Sequence, residues 1–440
     1  MIDFAIEPEF QEKLDWMATF VREEVEPLDV LFPVHGDPYD TKNEKSRAIL
    51  RPLQEEVKKQ GLWACHLGPE LGGQGYGQVK LGLMNEILGR SHWAPTVFGT
   101  AAPDTGNAEI LAMFGTPEQK ERYLQPLLDG EIVSTFSMTE PQAGADPKEF
   151  VCRAWQDGDE WVINGEKWFS SNARFAAFLI VMAVTDPDAA PHRRMSMFVV
   201  PAETPGIEIK RSVSTMSERD DLDEGTHGYI RYHEVRVPLD AMLGGPGQGF
   251  EVAQARLGGG RVHHAMRTVG KCRRALDMMA ERALSRRSQG TLLAEKQAVQ
   301  QSIADSWIEL QQFRLLVLHT AWVIDTQQHG AARTQIAACK VAMAKVLHDI
   351  IQRALLLHGS LGTTHETPLA DWWMGVPSLA LADGPTEVHR TTVAKQILKG
   401  YSPAEGLFPS EHIPPKREAA RKRYADIVED PSLAGRVRLS

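Results

Sequence analysis

The chain has 440 residues, 42% hydrophobic and 24% charged, which is soluble globular usage and long enough for two or three domains. Its formal net charge of −10 argues against a duplex-binding role, which needs a basic face. Cys65, Cys152, Cys272 and Cys339 are far apart, and no HExxH pattern occurs, so neither a disulfide framework nor a metal is expected.

The N-terminus, MIDFAIEPEF, has neither a signal peptide's apolar core nor the Arg-rich look of a transit peptide. No apolar run reaches membrane-spanning length. A cytoplasmic protein is expected, or one of the mitochondrial matrix in a eukaryote. Residues 1–131 read as a helical domain. Leu14, Met17, Ala18, Val21, Val25 and Leu28 form one apolar stripe, closed by Pro33 and the turn Gly36-Asp37-Pro38. GPELGGQGYG (68–77) is a glycine-rich loop, either a phosphate cradle or a plain connector, since it lacks the Walker Lys and a correctly spaced GxGxxG. In GTPEQKERYLQPLLDGE (115–131), Thr116 caps a helix, Pro117 starts it and Gln119 completes a capping box.

From residue 132 the period changes to two. Segments 132–138, 151–156, 161–163, 178–184, 195–200, 207–213 and 229–237 read as strands, with hairpin signals at Asp157-Gly158 and Asn164-Gly165. A barrel or sandwich spanning 132–245 is expected. From 247 to 367 there is no proline, which calls for long helices packed as a bundle over 246–400. Ile303, Trp307, Leu310, Phe313, Leu316 and Val317 mark one core face. Arg273, Arg274, Arg282, Arg286 and Arg287 cluster in sequence, either as a local basic patch or, for four of the five, as the solvated side of a helix, the more common case. The Pro- and charge-rich tail, 401–440, is expected to wrap the surface or dock on a neighbour.

SLALADGPTEVHR (378–390) places Asp383 before a helix that Pro385 starts, with Gly384 freeing the backbone. Alone, Asp383 reads as an N-cap worth about 1 kcal/mol. A flat apolar ring with a polar edge, such as a flavin, needs an aromatic wall and hydroxyl donors. Trp168 can supply the wall, Thr139 and Ser170 the hydroxyls.

Four segments together carry a resemblance: FSMTEPQAGAD (136–146), GEKWFSSNA (165–173), YHEVRVPLDAMLGGPGQGF (232–250) and ADGPTEVH (382–389). In order and spacing they resemble the acyl-CoA dehydrogenase family over roughly residues 8–400. The resemblance implies a multi-domain α and β fold: an N-terminal α-helical domain, a middle β-barrel and a C-terminal α-helical bundle. It implies FAD as cofactor and α,β-dehydrogenation of an acyl-CoA to a trans-2-enoyl-CoA, as in fatty-acid β-oxidation. It also implies an electron-transfer flavoprotein as acceptor and a homodimer or homotetramer.

By the same resemblance Asp383 is the base that takes the α-proton. Met138, Thr139, Trp168, Ser170, Gly359, Gly362, Thr386 and Glu387 face the flavin. Arg286 reaches a neighbouring subunit's FAD pyrophosphate. Arg261, Ala145 and Gly384 border the substrate, with Arg256 and Arg267 close to Arg261. The chain departs from the family pattern in four places. Asp replaces the usual Glu, in a branch-like A-D-G-P-x-E-V-H form. Pro385 replaces a Thr for which Thr386 can substitute, Leu356 replaces a Gln, and Ala145 stands where Ser is common. Two rivals stay open: a nitroalkane or acyl-CoA oxidase on the same scaffold, and a flavin-carrying binding protein without turnover.

Overall fold

The computed structural model describes residues 4–31, 38–69, 73–216, 218 and 225–433. Pro33 and residues 36–37 of the first expected turn, and residues 70–72 of the glycine-rich loop, lie outside the described residues. The structure divides into two compact units, residues 1–393 and 394–440.

The N-terminal stripe folds as α1 (Pro8–Phe20), a π-helical turn over Val21–Val25, and α2 (Leu28–Leu31). Phe10, Leu14, Met17, Val21, Val25 and Leu28 are buried along it, three and four residues apart as an amphipathic helix requires. α3 (Glu44–Lys59), α4 (Gln78–Leu88), α5 (Ala94–Val97) and α6 (Asp104–Phe114) follow. The capped segment is α7 (Pro117–Gln119), a π-helical turn over Lys120–Leu124, and α8 (Gln125–Leu128). Its capping box forms as the sequence predicts. The Thr116 hydroxyl accepts from the Gln119 N–H, and the Gln119 side chain accepts from the Thr116 N–H, both at 3.2 Å.

The middle region is one sheet of β1 (Ser134–Ser137), β2 (Arg153–Asp157), β3 (Glu160–Ser171), β4 (Phe178–Val184), β5 (Met195–Pro201), β6 (Ile207–Val213), β7 (His227–Pro238) and β8 (Met242–Leu243). The pairing order is β6-β7-β3-β2-β4-β5-β8, with β1 parallel on β4. β4 is buried on both faces. Its Phe178, Ile180, Met182 and Val184 join a core with residues of α6, α8 and the helix that follows the sheet. Leu179, Val181 and Ala183 point into the sheet's own core with Ile230, Tyr232 and Val235.

One expected turn is absent. Asn164-Gly165 lies inside β3, which runs on to Ser171, and the register shifts between Ile163 and Gly165. The extra residue of this bulge lies on β7, where His233 and Glu234 face the single Asn164. Gly165 is needed on β3 because a Cβ would stand 2.6 Å from the Cys152 Cα.

The C-terminal bundle comprises α9 (Gly249–Ser285), α10 (Gln297–Ala331), α11 (Arg333–His358), α12 (Leu369–Leu381) and α13 (Thr386–Leu398). A short hairpin of β9 (Arg287–Ser288) and β10 (Thr291–Leu292) follows α9. α9 has 37 residues, about 55 Å at 1.5 Å per residue. The bundle core is continuous with the N-terminal one: Val262, Met266, Val269, Leu310, Phe313 and Met343 cluster with Met17, Leu81 and Met84.

Two expectations fail here. Trp307 is 53% exposed, because it sits at the edge of the stripe centred on Leu310, Phe313 and Val317. Arg273 and Arg274 are not a solvated face. Arg273 meets Glu86, and Arg274 meets Glu26 and Asp29, tying α9 to the N-terminal helices. Taken by itself, the second unit carries α14 (Ile413–Arg423) and α15 (Ala425–Val428), with Pro414 and Pro415 in the first turn of α14, where a missing N–H costs nothing.

Candidate active site

Asp383 lies between α12 and α13 with φ +57°, a left-handed conformation costly for a residue with a Cβ. Gly384 follows at φ +105°, and a Cβ there would stand 3.0 Å from His389 Nε2. α13 begins at Thr386, one residue later than expected. Among the described residues no backbone N–H of α13 bonds the Asp383 carboxylate, so its role as an N-cap is not supported.

Side chains from three helices hold this loop. Arg261 Nε on α9 donates to the Asp383 carbonyl at 2.9 Å, and His389 Nε2 on α13 reaches the same oxygen at 3.3 Å. The fully buried Lys340 on α11 donates to the Leu379 carbonyl at 2.6 Å, and the Thr386 hydroxyl donates to the Ala380 carbonyl at 3.2 Å. These are carbonyls that the end of α12 leaves unpaired. Of the three arginines considered, Arg261 is the one bonded to the loop.

The carboxylate of Asp383 is 17% exposed and lies 3.5 Å from His264 Nε2 on α9. One turn earlier on the same helix, a Cβ at Gly260 would stand 3.3 Å from Asp383 Oδ2. Burial lowers the pKa of Arg256, Arg261 and Arg267, and the charge of Asp383 partly restores each. Lys340 is lowered to about 8 by burial, again opposed by Asp383. Burial drives His264 down to about 4, with Arg267, Lys340 and Arg256 adding to the effect and Asp383 opposing it. Asp383 is thus surrounded by cations, with the neutral imidazole of His264 beside its carboxylate.

Arg256 connects this loop to the sheet. Its guanidinium lies 4.0 Å over the Phe136 ring on β1, and its Nε donates to Asn107 Oδ1 at 2.8 Å. Asn107 and Asp104 on α6 both bond Ser134 on β1. Beside them, Glu109 makes no hydrogen bond or ion pair among the described residues. A Cβ at Gly259 would meet its Oε2 at 3.0 Å. Burial raises Glu109 to about 7 against the pull of Arg256, and Asp104 to about 7 against its bonds to Ser134.

The two flavin-like segments are fastened together. Lys167 Nζ bonds Glu140 Oε1 and the Met138 carbonyl, each at 2.8 Å, and the Trp168 N–H donates to the Thr139 carbonyl at 2.7 Å. Glu140 also accepts from the N–H groups of Val151 and Cys152. Met138 and Thr139 are half-buried at the end of β1.

Ser170 requires a correction. It is fully buried, and its hydroxyl pairs with Ser137 at 2.9 Å, which in turn meets the Tyr232 hydroxyl at 2.8 Å inside the sheet. The neighbours that face outward are Phe169, 43% exposed at φ +56°, and Ser171, whose hydroxyl meets His227 Nδ1 at 2.9 Å. Trp168 is half-buried against Tyr229, beneath the Arg211 guanidinium.

The remaining expected residues lie apart. Ala145 is exposed in the turn after β1, and Glu387 is exposed on α13. Gly359 ends α11 at φ +68°, and Gly362 packs where a Cβ would meet the Leu355 carbonyl at 2.5 Å. Arg286 is exposed at the C-terminal end of α9, 25 residues beyond Arg261, or about 38 Å along the helix. The glycine-rich loop leads into α4, but Asp325 already accepts from the Gln78 and Val79 N–H groups at that helix start. A phosphate would have to displace it.

His264, Glu109, Lys340 and the Glu140–Lys167 pair were not found by sequence reasoning. Only His264 left a trace, one helical turn from Gly260 and next to Arg261. Among the described residues no group of three His, Cys, Asp or Glu could hold a metal ion. No helix is long and apolar enough to cross a membrane.

Comparison with known proteins places the chain. Residues 7–131 match the N-terminal domain of acyl-CoA dehydrogenases, 135–226 the middle domain and 247–398 the C-terminal domain. FadE2 of Mycobacterium tuberculosis, named as a probable acyl-CoA dehydrogenase, is 43% identical over 80% of this chain and 86% of its own length. Acyl-CoA dehydrogenase family member 10 of Mus musculus is 38% identical over 90% of this chain, which spans only 38% of that longer protein. A solved Mycobacterium abscessus chain assigned to the acyl-CoA dehydrogenases superposes with a TM-score of 0.83 at 39% identity, covering 90% of this chain and 100% of that one. The chain belongs to the acyl-CoA dehydrogenase family and is an oxidoreductase with FAD as its cofactor.

Proposed function

We propose that the chain dehydrogenates an acyl-CoA thioester between Cα and Cβ, giving a trans-2-enoyl-CoA, with Asp383 as the base. The observation that carries this is the loop itself. A carboxylate sits at a left-handed backbone position clamped by Arg261 and His389, and it faces cations. An α-proton next to a thioester is weakly acidic, so its base must be held in place and shielded from bulk water. The loop does both.

The residues present fit a flavin. An exposed aromatic ring at Phe169 lies on the strand that Lys167 fastens to the Met138–Thr139 segment, with hydroxyls at Thr139 and Ser171. We assign the aromatic wall to Phe169 and a hydroxyl contact to Ser171, with Trp168 packed behind. FAD bound there would supply the acceptor for the hydride that leaves the substrate's Cβ. Arg286 is suited to a pyrophosphate held by another copy of the chain, since α9 carries it far from its own Asp383. The proposal includes a homo-oligomer and an electron-transfer flavoprotein as acceptor.

The test is anaerobic mixing of the purified flavoprotein with butyryl-, octanoyl- and palmitoyl-CoA while the flavin absorbance is followed. Bleaching by any of them, with enoyl-CoA in the product, is the expected result. A flavin reduced by none of these but by nitroalkanes overturns it.

A further inference from the structure

The cations around Asp383 grip its backbone or act from a distance, so the direction of its carboxylate must be set by something else. Arg261 and His389 both spend their bonds on the main-chain oxygen. Lys340 and Thr386 bond carbonyls of the preceding helix. What remains free is rotation of the Asp383 side chain.

We propose that His264 is the positioning residue of the proton-abstracting carboxylate, holding Oδ2 through Nε2–H so that Oδ1 is turned to the substrate's α-carbon. This rests on the reading of Asp383 as the base. Two independent measures on α9 point at the same oxygen. His264 Nε2 lies 3.5 Å from Oδ2, and the missing side chain at Gly260, four residues before, leaves Oδ2 the room it occupies. Residues four apart share one face of a helix, so α9 presents a slot with a bare glycine at one end and a donor at the other. A separation of 3.5 Å is long for a hydrogen bond, as is common before substrate closes such a site.

The charge state suits the role. Burial and three neighbouring cations keep the imidazole neutral; in the tautomer with its proton on Nε2 it can donate to Oδ2 without bringing a second proton that would compete with the substrate's. Asp is one methylene shorter than Glu and has fewer ways to reach the α-proton. A side chain that fixes its rotamer therefore matters more to it.

The experiment uses the FAD-loaded full chain with His264→Ala, His264→Gln and Asp383→Asn, and the acyl-CoA that reduces the wild type fastest. Four quantities are read: flavin content, acyl-CoA dissociation constant, flavin-reduction rate at saturation, and exchange of the α-protons with D2O. His264→Ala is expected to slow both reduction and exchange about tenfold or more, with the dissociation constant within about twofold. His264→Gln, which keeps an N–H donor, is expected to recover most of the loss. A His264→Ala variant as fast as wild type overturns the proposal. So does equal loss in both His264 variants together with lost flavin or acyl-CoA binding, which marks a packing role. If instead Asp383→Asn reduces flavin at the wild-type rate, the reading of Asp383 as base falls, and with it this role for His264.

Discussion

Lys167 and Glu140 meet at 2.8 Å with neither side chain exposed, and between them they lock the loop after β1 onto β3. Further bonds hold both partners. Lys167 also bonds the Met138 carbonyl, and Glu140 also takes two backbone N–H groups and the Gln142 amide. Removing one partner of a buried pair leaves an uncompensated charge, which costs about 3–5 kcal/mol. Lys167→Met should therefore lower the melting temperature sharply and lose flavin. Pairing it with Glu140→Leu should restore part of the stability. A single variant that melts like wild type would remove this pair from the account.

Asp383→Asn should keep FAD and bind acyl-CoA, yet reduce flavin roughly 10²–10⁴-fold more slowly, the range for a lost general base. Asp383→Glu should retain measurable activity, because the longer side chain still reaches the substrate. Anaerobic stopped-flow measurement decides both.

Arg286→Ala should weaken FAD retention while leaving the helices intact. A lost charge-assisted pair at an interface costs about 2–5 kcal/mol, and Arg286 is exposed at the end of α9 with its guanidinium available to a neighbour. Circular dichroism establishes that the variant is folded; flavin released on gel filtration reads the affinity. Wild-type retention returns Arg286 to a solvated role.

On β3, Ser171→Ala and Phe169→Ala should each reduce FAD affinity more than Ser170→Ala does. Ser170 bonds Ser137 inside the sheet, so its loss should appear in thermal stability. Flavin titration of the apoprotein separates the two effects. The reverse ranking would restore the hydroxyl contact to Ser170.

Glu109 should make folding stability fall as pH rises. Burial raises its carboxyl from 4.5 to about 7, so between roughly these values the folded chain keeps a proton that the unfolded chain releases. Stability drops across that window and stays lower above it. Asp104, raised to about 7, contributes in the same direction. Glu109→Gln is neutral in both states, so it should melt with a shallower pH dependence and gain on wild type above neutral pH. Parallel melting profiles for the two proteins would count against the shifted carboxyl.

Where a signal was local, the sequence was readable. The Thr116–Gln119 capping box and the Asp157-Gly158 turn depend on residues within one turn of each other, and both form. Asn164-Gly165 carries the same turn chemistry, yet β7 pairs with β3 across it, so β3 runs through and the bulge falls on β7 at His233-Glu234. The segment GEKWFSSNA lies on β3 as far as Ser171, but which of its residues face outward depends on local register. Here the alternation is itself broken: β3 carries an extra residue at Trp168-Phe169 opposite Tyr229, with Phe169 at φ +56°, so Lys167 and Ser170, three apart, are both buried and Phe169 is turned out. His264 and Glu109 were beyond local reading. Each matters through a partner more than a hundred residues away in sequence, Asp383 and Arg256, that only the packing of α9 brings near.

β4 has no solvent face, and half of its burial is supplied by residues outside the sheet: Ala108, Ile110 and Leu111 of α6, Leu127 of α8, and Val252 and Ala253 of α9. The limits drawn along the chain are therefore not limits in space. A fragment cut at residues 132 and 245 would expose Phe178, Ile180, Met182, Met197 and Val199 together. Such an excised piece should come out of cells as inclusion bodies, and the sheet should be recovered in soluble form only when the flanking helices are expressed with it.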